Sequence, residues 1–421
     1  MRVLIDYRPA LRERSGVGEY THELVKALLA EYPPGRDGGL ELSLFSSSWK
    51  DRLLPAAGLT GATIVDRRIP VRLLNLAWHR VGWPPAEALA GGGFDVTHSS
   101  HPLVLPARAA AQVITIHDLS FLSHPERTRA EIRRDYPALA RDHAHRADAI
   151  IVSSEYTASQ VERVLGVPRE RIAVCSPGAP DWTPRTAPPK DGYVLFFGTL
   201  EPRKNIGALL DAYEQLLGTA EAVPYDSTSG GPLHNSAYGG PRCDTTDVGR
   251  PLRGAAGRPF SGANALPKLV LAGRATDEAR PWLERLARPP LNGVVRHLGY
   301  VDPGDRRALY EGARLLVQPS FDEGFGIAVL EAMSIGVPVV AANRGSLPEV
   351  LGDAGPLVDP EDPGAIAHAI GHMLSDEGYA DACSAKGLVR ARTFRWDQTA
   401  RRVYDTYRRA IARRAERAAH A

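Results

Sequence analysis

Two carboxylates stand eight positions apart in the stretch FDEGFGIAVLEAMSIGVPVV at 321–340. Glu323 is expected in a loop between a strand and a helix, and Glu331 in the second turn of that helix. Gly324 and Gly326 let the backbone approach a ligand closely, and the helix start offers N–H groups to an anion. The stretch therefore predicts a phosphate-binding loop with hydroxyl-accepting carboxylates on either side. The simpler alternative is that Glu323 complements the helix dipole and that Glu331 is exposed.

Two adjacent cations occur in a second stretch, FFGTLEPRKN at 196–205. Arg203 and Lys204 follow a strand and Gly198, and they precede a helix. Cations at a helix N-terminus oppose the macrodipole and cost roughly a few tenths of a kcal/mol. Because a bound polyanion would reverse that cost, we interpret the pair as a diphosphate clamp. The alternative is an incidental basic pair on the surface.

A third stretch, VITIHDLSFLSHPE at 113–126, places His117 and Asp118 at the end of a strand in the first half of the chain. The carboxyl ends of parallel strands form one edge of a sheet, where ligands bind. A histidine there can hydrogen-bond a substrate hydroxyl or tune a proton transfer. The alternative is a histidine with a purely structural role.

Two glycines precede the first long helix, in RERSGVGEYTHEL at 12–24. Gly16 and Gly18 form half of a dinucleotide fingerprint, but Thr21 stands where the third glycine belongs. No fingerprint for NAD follows, so the sequence argues against an oxidoreductase.

The composition is that of an ordinary globular protein. The chain has 421 residues, 51 Lys and Arg against 49 Asp and Glu, and a formal net charge of +2, so no global field favours nucleic acid. The three cysteines have no metal-ligand spacing and fit a reducing compartment. Neither a signal peptide nor an apolar run of membrane-spanning length is recognisable. We expect a cytoplasmic protein, with peripheral contact at the inner membrane face left open.

Short apolar runs alternate with helical patterns, which is typical of βαβ units and parallel sheets. Strands are expected at 2–6, 41–45, 62–66, 94–100, 112–118, 149–154 and 172–177, and then at 193–198, 268–273, 294–299, 313–320 and 337–342. Helices are expected at 17–31, 126–145, 155–165, 205–217, 277–287, 303–311, 326–335 and 362–374. Two successive α/β series predict two doubly wound domains facing each other across a ligand-binding cleft.

The domain boundaries follow from composition. We expect an N-terminal domain at 1–180, a proline-rich linker at 181–192 and a C-terminal domain at 193–396. Residues 219–266 are rich in Gly, Pro, Ser and Thr and lack apolar periodicity, which predicts a disordered insertion. The arginine-rich helix at about 397–421 is expected to pack back on the first domain. Its arginines can form a solvated face, or they can dock across the domain boundary or on an acidic membrane surface.

Four stretches in order resemble a known family: GTLEPRKN, LVLAGR at 269–274, LGYVD at 298–302, and EGFGIAVLEAMSIGVPVVAANRGSLPEV at 323–350. They are similar to glycosyltransferase family four, the retaining transferases of GT-B fold, in which two Rossmann-like domains face across a cleft. Glu323 and Glu331 match that family's E-x7-E motif. SGVGEYT and TIHDLSFLSHPE are similar to its mannosyltransferase branch. The resemblance covers nearly the whole chain except 219–266.

The resemblance implies a nucleotide-sugar donor held mainly by the second domain. Arg203 and Lys204 would bind the diphosphate and neutralise the leaving nucleotide. Glu331 would accept hydrogen bonds from the ribose hydroxyls, and Glu323 would lie beside the donor sugar near the reacting carbon. Whether Glu323 acts as a nucleophile or only positions the sugar is left open.

The remaining implied contacts are made by loops on both sides of the cleft. The backbone of the second domain would contact the sugar or phosphate at Gly198, Gly324, Phe325, Gly326 and Ile327. The base would lie near Gly273, Tyr300 and Val301. From the first domain, His117 and Asp118 would border the donor sugar and the acceptor, and Gly16 and Gly18 would make room for the diphosphate.

The resemblance therefore implies transfer of a sugar, expected to be mannose from GDP-mannose, to a glycan or lipid-linked acceptor in cell-surface polysaccharide synthesis. No metal or other cofactor is expected, because the two cations can stabilise the leaving diphosphate. The alternatives are a UDP-sugar donor such as UDP-glucose, or a nucleotide-sugar-binding protein without catalytic activity.

Overall fold

The computed structural model describes residues 1–11, 14, 16–49, 51–53, 58–123, 136–221 and 266–420. They form two α/β domains, each built on a parallel sheet. The seven strands of the first sheet are β1 (Arg2–Asp6), β2 (Glu41–Ser47), β3 (Thr63–Arg67), β4 (Val96–Ser99), β5 (Ala111–Ile116), β6 (Ala149–Val152) and β7 (Ile172–Val174). The six strands of the second are β8 (Tyr193–Phe197), β9 (Leu269–Ala272), β10 (Val295–Gly299), β11 (Ala313–Gln318), β12 (Val339–Ala342) and β13 (Leu357–Val358).

Helices cover both sheets. The first series contains α1 (Val17–Glu31), α2 (Val71–Leu76), α3 (Ala86–Ala90), α4 (Ser120–Ser123), α5 (Tyr136–Arg146) and α6 (Glu155–Leu165). The second contains α7 (Ile206–Glu221), α8 (Arg280–Leu286), α9 (Arg306–Glu311), α10 (Ile327–Ile335), α11 (Leu347–Leu351), α12 (Pro363–Ser375), α13 (Glu377–Ala391) and α14 (Trp396–Ala419). A π-helical turn at Ala77–Val81 continues α2.

The strand order identifies the edge where each sheet can bind a ligand. The first sheet runs β3-β2-β1-β4-β5-β6-β7 and the second β10-β9-β8-β11-β12-β13. In each sheet the order reverses direction at a central strand, between β1 and β4 and between β8 and β11. Crevices at such switch points, beyond the carboxyl ends of the strands, are the usual ligand sites of doubly wound sheets.

All twelve strands expected from the sequence are present, and the fold class is confirmed. Buried parallel strands are continuous apolar runs, which explains why they were recognisable. The short elements β13, α2, α3, α4 and α11 were missed because they are shorter than the windows over which periodicity can be read. Helix α13 was also missed, although it has 15 residues. Helix α7 extends to Glu221, slightly into the segment expected to be an insertion. The rest of that insertion, 222–265, and the start of the helix expected at 126–145 lie outside the described residues.

The last helix, α14, lies on the first sheet and not on the domain that precedes it in sequence. Its buried residues Ala400, Val403 and Tyr407 belong to the same apolar core as α1 and β1. Arg413 donates to the carbonyl oxygen of Asp148 and Arg417 to the Asp148 carboxylate, the latter at 3.1 Å. Several of its arginines therefore bind the first domain instead of forming only a solvated face. Among the described residues, no helix is both long and apolar enough to cross a membrane.

Candidate active site

The loop after β8 and the loop after β11 meet at the switch point of the second sheet, and Glu323 joins them. Its carboxylate is buried, with 6% of the residue exposed. One oxygen accepts three hydrogen bonds. The donors are Lys204 Nζ at 2.5 Å, Gln318 Nε2 at 2.9 Å and Ser320 Oγ at 2.8 Å. The other lies 3.4 Å from an Arg203 nitrogen. The structure thus brings together the acid and the two cations that the sequence singled out.

The charges around Glu323 determine its protonation. Burial alone would raise the pKa of this carboxyl, but Lys204 and then Arg203 outweigh burial and lower it to about 2. Arg203 also pairs with Glu201 at 2.6 Å. From the sequence, the two cations were expected to be unfavourable without a bound anion. The structure corrects this, because Glu201 and Glu323 already neutralise them and α7 begins only at Ile206.

A second acid of this loop, Asp322, was not predicted. It is 6% exposed, and its Oδ1 has no hydrogen-bond partner among the described residues. Burial and then the neighbouring charge of Asp118 raise the pKa of Asp322 to about 6. Asp118 itself accepts from Ser120 Oγ at 2.7 Å. Asp118 and Asp322 are therefore two facing acids, one from each domain, with Arg203 close to both.

His117 follows β5, and its ring packs inside the first domain. Its ring meets the Tyr20 ring edge-on, with 5.0 Å between centroids. Burial lowers the pKa of the imidazole to about 4, against the opposing effect of Asp118. Within the described chain its Nε2 has no hydrogen-bond partner. His117 is therefore a neutral imidazole near pH 7, and its Nε2 is buried.

Gly324 is required by the contact between the domains. A Cβ built on it would lie 1.7 Å from the carbonyl oxygen of His117, closer than any side chain permits. The Gly324 carbonyl oxygen accepts hydrogen bonds from Ser154 at 2.7 Å and Ser153 at 3.0 Å. We expected this glycine to admit a ligand. In the structure the absence of a side chain at Gly324 leaves room for the backbone of the first domain at His117.

A second contact between the domains involves Glu349 of α11. Its two carboxylate oxygens accept from the backbone N–H groups of Glu155 and Tyr156, at 3.0 and 3.1 Å. Those two residues begin α6, whose N-cap Ser154 accepts from the N–H of Thr157. The N-terminus of one domain's helix is therefore completed by a side chain of the other domain.

The other residues of the glycine-bearing loop are mostly packed inside the second domain. Phe325 is 5% exposed and contacts the Phe394 ring edge-on at 5.5 Å, so its side chain belongs to the core. Gly326 has a φ of +97° and is the N-cap of α10. Ile327 alone of this group reaches the large cavity described below.

Glu331 lies on α10 in a buried polar cluster separate from that of Glu323. It is 5% exposed, which excludes the alternative of an exposed helix residue. Tyr310 Oη donates to it at 2.8 Å and Arg306 at 3.2 Å. Burial raises the pKa of Glu331 and Glu19 adds to the rise, while Arg306 and Tyr310 oppose it.

Arg306 also reaches the first domain. Its guanidinium pairs with Glu19 of α1 at 3.2 Å and donates to the carbonyl oxygen of Arg14. The residue is 4% exposed. One arginine therefore links Glu331 to the start of α1, immediately after the glycines of the first domain.

A cavity of about 1060 Å³ separates the domains beside this arginine. Its lining includes Arg14, Glu19, Arg306, Ile327 and Glu331. Glu323, Lys204 and His117 are not among its lining residues. Glu331 and Ile327 are therefore the sequence-predicted residues that face this large space, whereas the cluster around Glu323 lies where the domains touch.

The comparisons with known proteins agree with this architecture. A family model described as "Glycosyltransferase Family 4" matches residues 14–181, and one described as "Glycosyl transferases group 1" matches residues 262–376. The chain is 30% identical to the O-antigen chain mannosyltransferase B of Escherichia coli, over 97% of this chain and 100% of that protein. The chain belongs to glycosyltransferase family four.

Further relatives are similar over a shorter part of the chain or in fold alone. This family-four chain is 38% identical to a D-inositol 3-phosphate glycosyltransferase of Salinispora tropica, over 34% of the chain and 30% of that protein. The sucrose-phosphate synthase of Thermosynechococcus elongatus superposes with a TM-score of 0.71 at 19% identity, covering 98% of this chain and 99% of that one. Anabaena HepE in complex with UDP and glucose gives a TM-score of 0.61 at 17% identity, covering 96% and 99%. At these identities the solved structures show the shared GT-B fold.

Several predicted glycines of this glycosyltransferase are explained by close backbone packing. A Cβ on Gly18 would lie 2.5 Å from the Pro9 carbonyl oxygen, while one on Gly16 would meet nothing within 4 Å. Gly16 has a φ of +47° and is the N-cap of α1. Gly273, with a φ of +133°, would bring a Cβ to 2.1 Å from the carbonyl oxygen of Gly198. Gly18 and Gly273 are thus required by contacts within their own domains, whereas a Cβ on Gly198 would make only ordinary contacts, the nearest at 3.5 Å from the Phe196 ring.

The residues expected near the base follow β10. Tyr300 is half-buried, and Val301 packs against the core cluster that also contains Phe325 and Val329. Neither lines the 1060 Å³ cavity. Their contact with a base, like the other implied ligand contacts, stays a prediction.

Arg306 and Tyr310 of the glycosyltransferase were not predicted from the sequence. They are one helical turn apart in RRALYE and therefore share a face of α9. This spacing is the signal that was present, but it cannot by itself be told from a surface pattern. Asp322 carried a clearer signal, because it adjoins Glu323.

Proposed function

We propose that the protein is a retaining transferase that moves mannose from GDP-mannose to a glycan or lipid-linked acceptor in cell-surface polysaccharide synthesis. The observation that carries the proposal is the full-length similarity to the O-antigen chain mannosyltransferase B of Escherichia coli. It is supported by the charged cluster at the end of β8, where a donor diphosphate would find two cations. The UDP complex of HepE concerns a protein only 17% identical and does not argue for a UDP-sugar here.

Departure of the nucleoside diphosphate is the step that Arg203 and Lys204 would promote. The bond between the anomeric carbon and the phosphate oxygen breaks, and negative charge grows on the diphosphate. Preorganised cations in a site that excludes water stabilise such charge strongly. Lys204 is 8% exposed and Glu323 fixes its ammonium, so little reorganisation is needed when the charge develops.

Glu323 would hold these groups in place and would not itself attack the sugar. Its Oε1 already accepts three hydrogen bonds. A carboxylate with that many donors is a poor nucleophile because its lone pairs are engaged. The acceptor hydroxyl would instead attack on the face that the leaving group vacates, and its proton would pass to a donor phosphate oxygen.

His117 would contact the donor sugar from the first domain. Its unpartnered Nε2 and neutral state suit a hydrogen bond to a sugar hydroxyl. Glu331 would accept hydrogen bonds from the ribose hydroxyls, since it lines the large cavity. A carboxylate has about four positions at which it can accept such bonds. Arg306 and Tyr310 would then fix its orientation.

A donor panel tests the proposal. The purified chain is incubated with GDP-mannose, GDP-fucose, UDP-glucose and UDP-galactose, with and without EDTA, and release of the nucleotide is measured together with any transfer to lipid-linked oligosaccharide. GDP-mannose should be turned over most rapidly, and EDTA should have no effect because the two cations supply the charge. Preference for a UDP-sugar would refute the donor assignment. Binding of a donor without release or transfer under every condition would favour the non-catalytic alternative.

A further inference from the structure

Exposed apolar side chains are concentrated in one segment of the first domain. The large hydrophobic residues that are exposed in the described part of the chain are Trp49, Val71, Leu73, Leu76, Val81, Trp83, Leu298, Leu357 and Val389. Five of these nine lie within 71–83. Leu76 is 59% exposed, Val81 74% and Trp83 66%. Single exposed apolar residues are common on protein surfaces, but several of them in one short segment are typical of an interaction site. We call Val71, Leu73, Leu76, Val81 and Trp83 the apolar ridge.

The ridge is held rigidly by the opposite side of the same segment. Leu74 and Trp78 are 2% and 1% exposed and pack with Phe45 in a core cluster. Trp78 also donates through its indole nitrogen to the Pro84 carbonyl oxygen at 2.9 Å. The ridge is therefore displayed on an anchored support, so its exposure does not come from a loose segment.

The ionised side chains in the segment that carries the ridge are all arginines. Residues 67–86 contain four arginines, at 67, 68, 72 and 80, and no aspartate or glutamate. All four arginines are exposed. An apolar strip with tryptophan, flanked by arginines and lacking acids, has the chemistry of a surface that lies in the headgroup region of an anionic bilayer.

A pocket of arginines adjoins one end of the ridge. Gly82, between the ridge residues Val81 and Trp83, lines a polar pocket of about 250 Å³ together with Arg146, Arg414 and Arg417. Asp142 pairs with Arg146 at 3.4 Å and Asp148 with Arg417 at 3.1 Å. Three guanidinium groups therefore face two carboxylates, and the pocket keeps a positive charge that suits a phosphodiester.

The segment runs along the first domain from one edge of the sheet to the other. Asn75 accepts a hydrogen bond at 2.8 Å from Arg8, which follows the carboxyl end of β1. At the other end, the pocket beside Gly82 includes Gln112, at the amino end of β5. The segment thus runs from the carboxyl ends of the strands, which face the cleft, to their amino ends.

We propose that the apolar ridge and the adjoining arginine pocket dock the first domain on an anionic lipid bilayer, with the ridge inserted among the acyl chains and the pocket on a phospholipid headgroup. The proposal concerns a surface outside the donor site and holds whatever the donor is. It assigns membrane contact mainly to 71–83, with the last helix contributing through Arg414 and Arg417.

Vesicle flotation of the full chain tests the proposal. The chain should float with phosphatidylcholine vesicles that contain phosphatidylglycerol, and at least about tenfold less with phosphatidylcholine alone, because several arginines contribute. Leu76→Ser with Trp83→Ser should reduce binding by about tenfold or more. Val389→Ser, which changes an apolar residue 67% exposed in the second domain, is the matched control and should bind like the parent.

A charge variant separates the two parts of the surface. Arg72→Glu with Arg80→Glu should abolish the preference for phosphatidylglycerol, whereas Arg280→Glu with Arg296→Glu in the second domain should preserve it. Thermal melting and nucleotide release in the absence of vesicles should be unchanged in all four variants. Equal flotation of the ridge variant and the Val389→Ser control would overturn the proposal. So would a dimer that the ridge variant dissociates while neither protein binds vesicles, since the occupant would then be a second copy of the chain.

Discussion

Glu323 and Glu331 belong to one sequence motif and are buried to nearly the same extent, with 6% and 5% of each residue exposed. Their pKa values nevertheless move in opposite directions. The pKa of Glu323 falls to about 2, while that of Glu331 rises. Burial disfavours the charged form of both groups, so the difference must come from their neighbours.

The neighbours differ in the number and sign of their charges. Glu323 faces two cations, Lys204 and Arg203, and two neutral donors. Glu331 faces one cation, Arg306, which it shares with the carboxylate of Glu19. The first environment holds a permanent anion between cations at the donor end of the cleft. The second environment holds a carboxylate whose one cation also pairs with Glu19 of the first domain.

The largest expected effect on stability comes from removing Arg306, the cation that Glu331 shares with Glu19. Arg306→Ala leaves a buried carboxylate without its ion pair, and such changes cost about 3–5 kcal/mol of unfolding free energy. Chemical denaturation measures the loss. Arg307→Ala is the matched control, because its pair with Glu311 is exposed and should contribute at most about 0.5 kcal/mol. Adding Glu331→Gln to Arg306→Ala should recover much of the stability; equal stability of Arg306→Ala and Arg307→Ala would show that Glu331 needs no partner.

Lys204→Ala tests the other carboxylate environment through activity. Loss of the charge that stabilises the leaving diphosphate should lower kcat by about a hundredfold or more, equivalent to about 3 kcal/mol. Because Glu323 also loses a partner, the double variant Lys204→Ala with Glu323→Gln is needed beside it. The double variant should regain stability but not activity. Recovery of nucleotide release in the double variant would mean that Lys204 acts only by neutralising Glu323.

The opposite pKa shifts predict opposite pH dependences. An unfolded glutamate takes up its proton near its ordinary pKa of 4.5, whereas folded Glu323 takes it up only near 2. The contribution of Glu323 is therefore fully present above pH 4.5 and is lost as the pH falls towards 2. For Glu331 the folded form binds its proton first, so protonation relieves the cost of burying it.

Unfolding free energies of the parent, Glu323→Gln and Glu331→Gln, measured across this acid range, separate the two contributions. In Glu323→Gln the unfolding free energy should fall less steeply than in the parent as the pH drops below 4.5. In Glu331→Gln it should fall as steeply as in the parent or more steeply. Identical acid profiles for the two variants would contradict the distinction drawn between the carboxylates.

The smallest expected effect concerns the neutral donor to Glu331. Tyr310→Phe removes one hydrogen bond to a charged group and should cost about 1.5–3 kcal/mol. Tyr213→Phe is a suitable comparison, since Tyr213 is equally buried but donates to the neutral carbonyl of Pro267 at 2.6 Å and should cost about 0.5–1.5 kcal/mol. Equal losses in thermal or chemical unfolding would indicate that Glu331 is protonated at neutral pH.

The fold was largely predictable because its signals are local. Most of the strands contain a short apolar run, and glycine or proline marks many of the turns, so the order of the elements could be read along the chain. The proximity of Glu323 to Arg203 and Lys204 also followed, since all three lie after neighbouring parallel strands. Only the topology of the sheet was needed to place them together.

The contacts between the domains could not be predicted in the same way. Gly324 was interpreted as room for a ligand because its sequence context does not reveal that the backbone of His117 approaches it from another domain. Arg306 was missed because a buried arginine and an exposed one are identical in sequence. Their roles depend on pairings between residues that are hundreds of positions apart, and no periodicity within one element records such pairings.

The contact between Glu349 and α6 makes the start of that helix depend on the relative position of the domains. Two of the first N–H groups of α6, those of Glu155 and Tyr156, are capped by the Glu349 carboxylate of the other domain. When the domains separate to admit substrate or release product, these groups lose their cap, and the first turn of the helix frays. We therefore expect the amide protons of Glu155 and Tyr156 to exchange with solvent faster when the cleft opens, which hydrogen exchange of these two amides would measure.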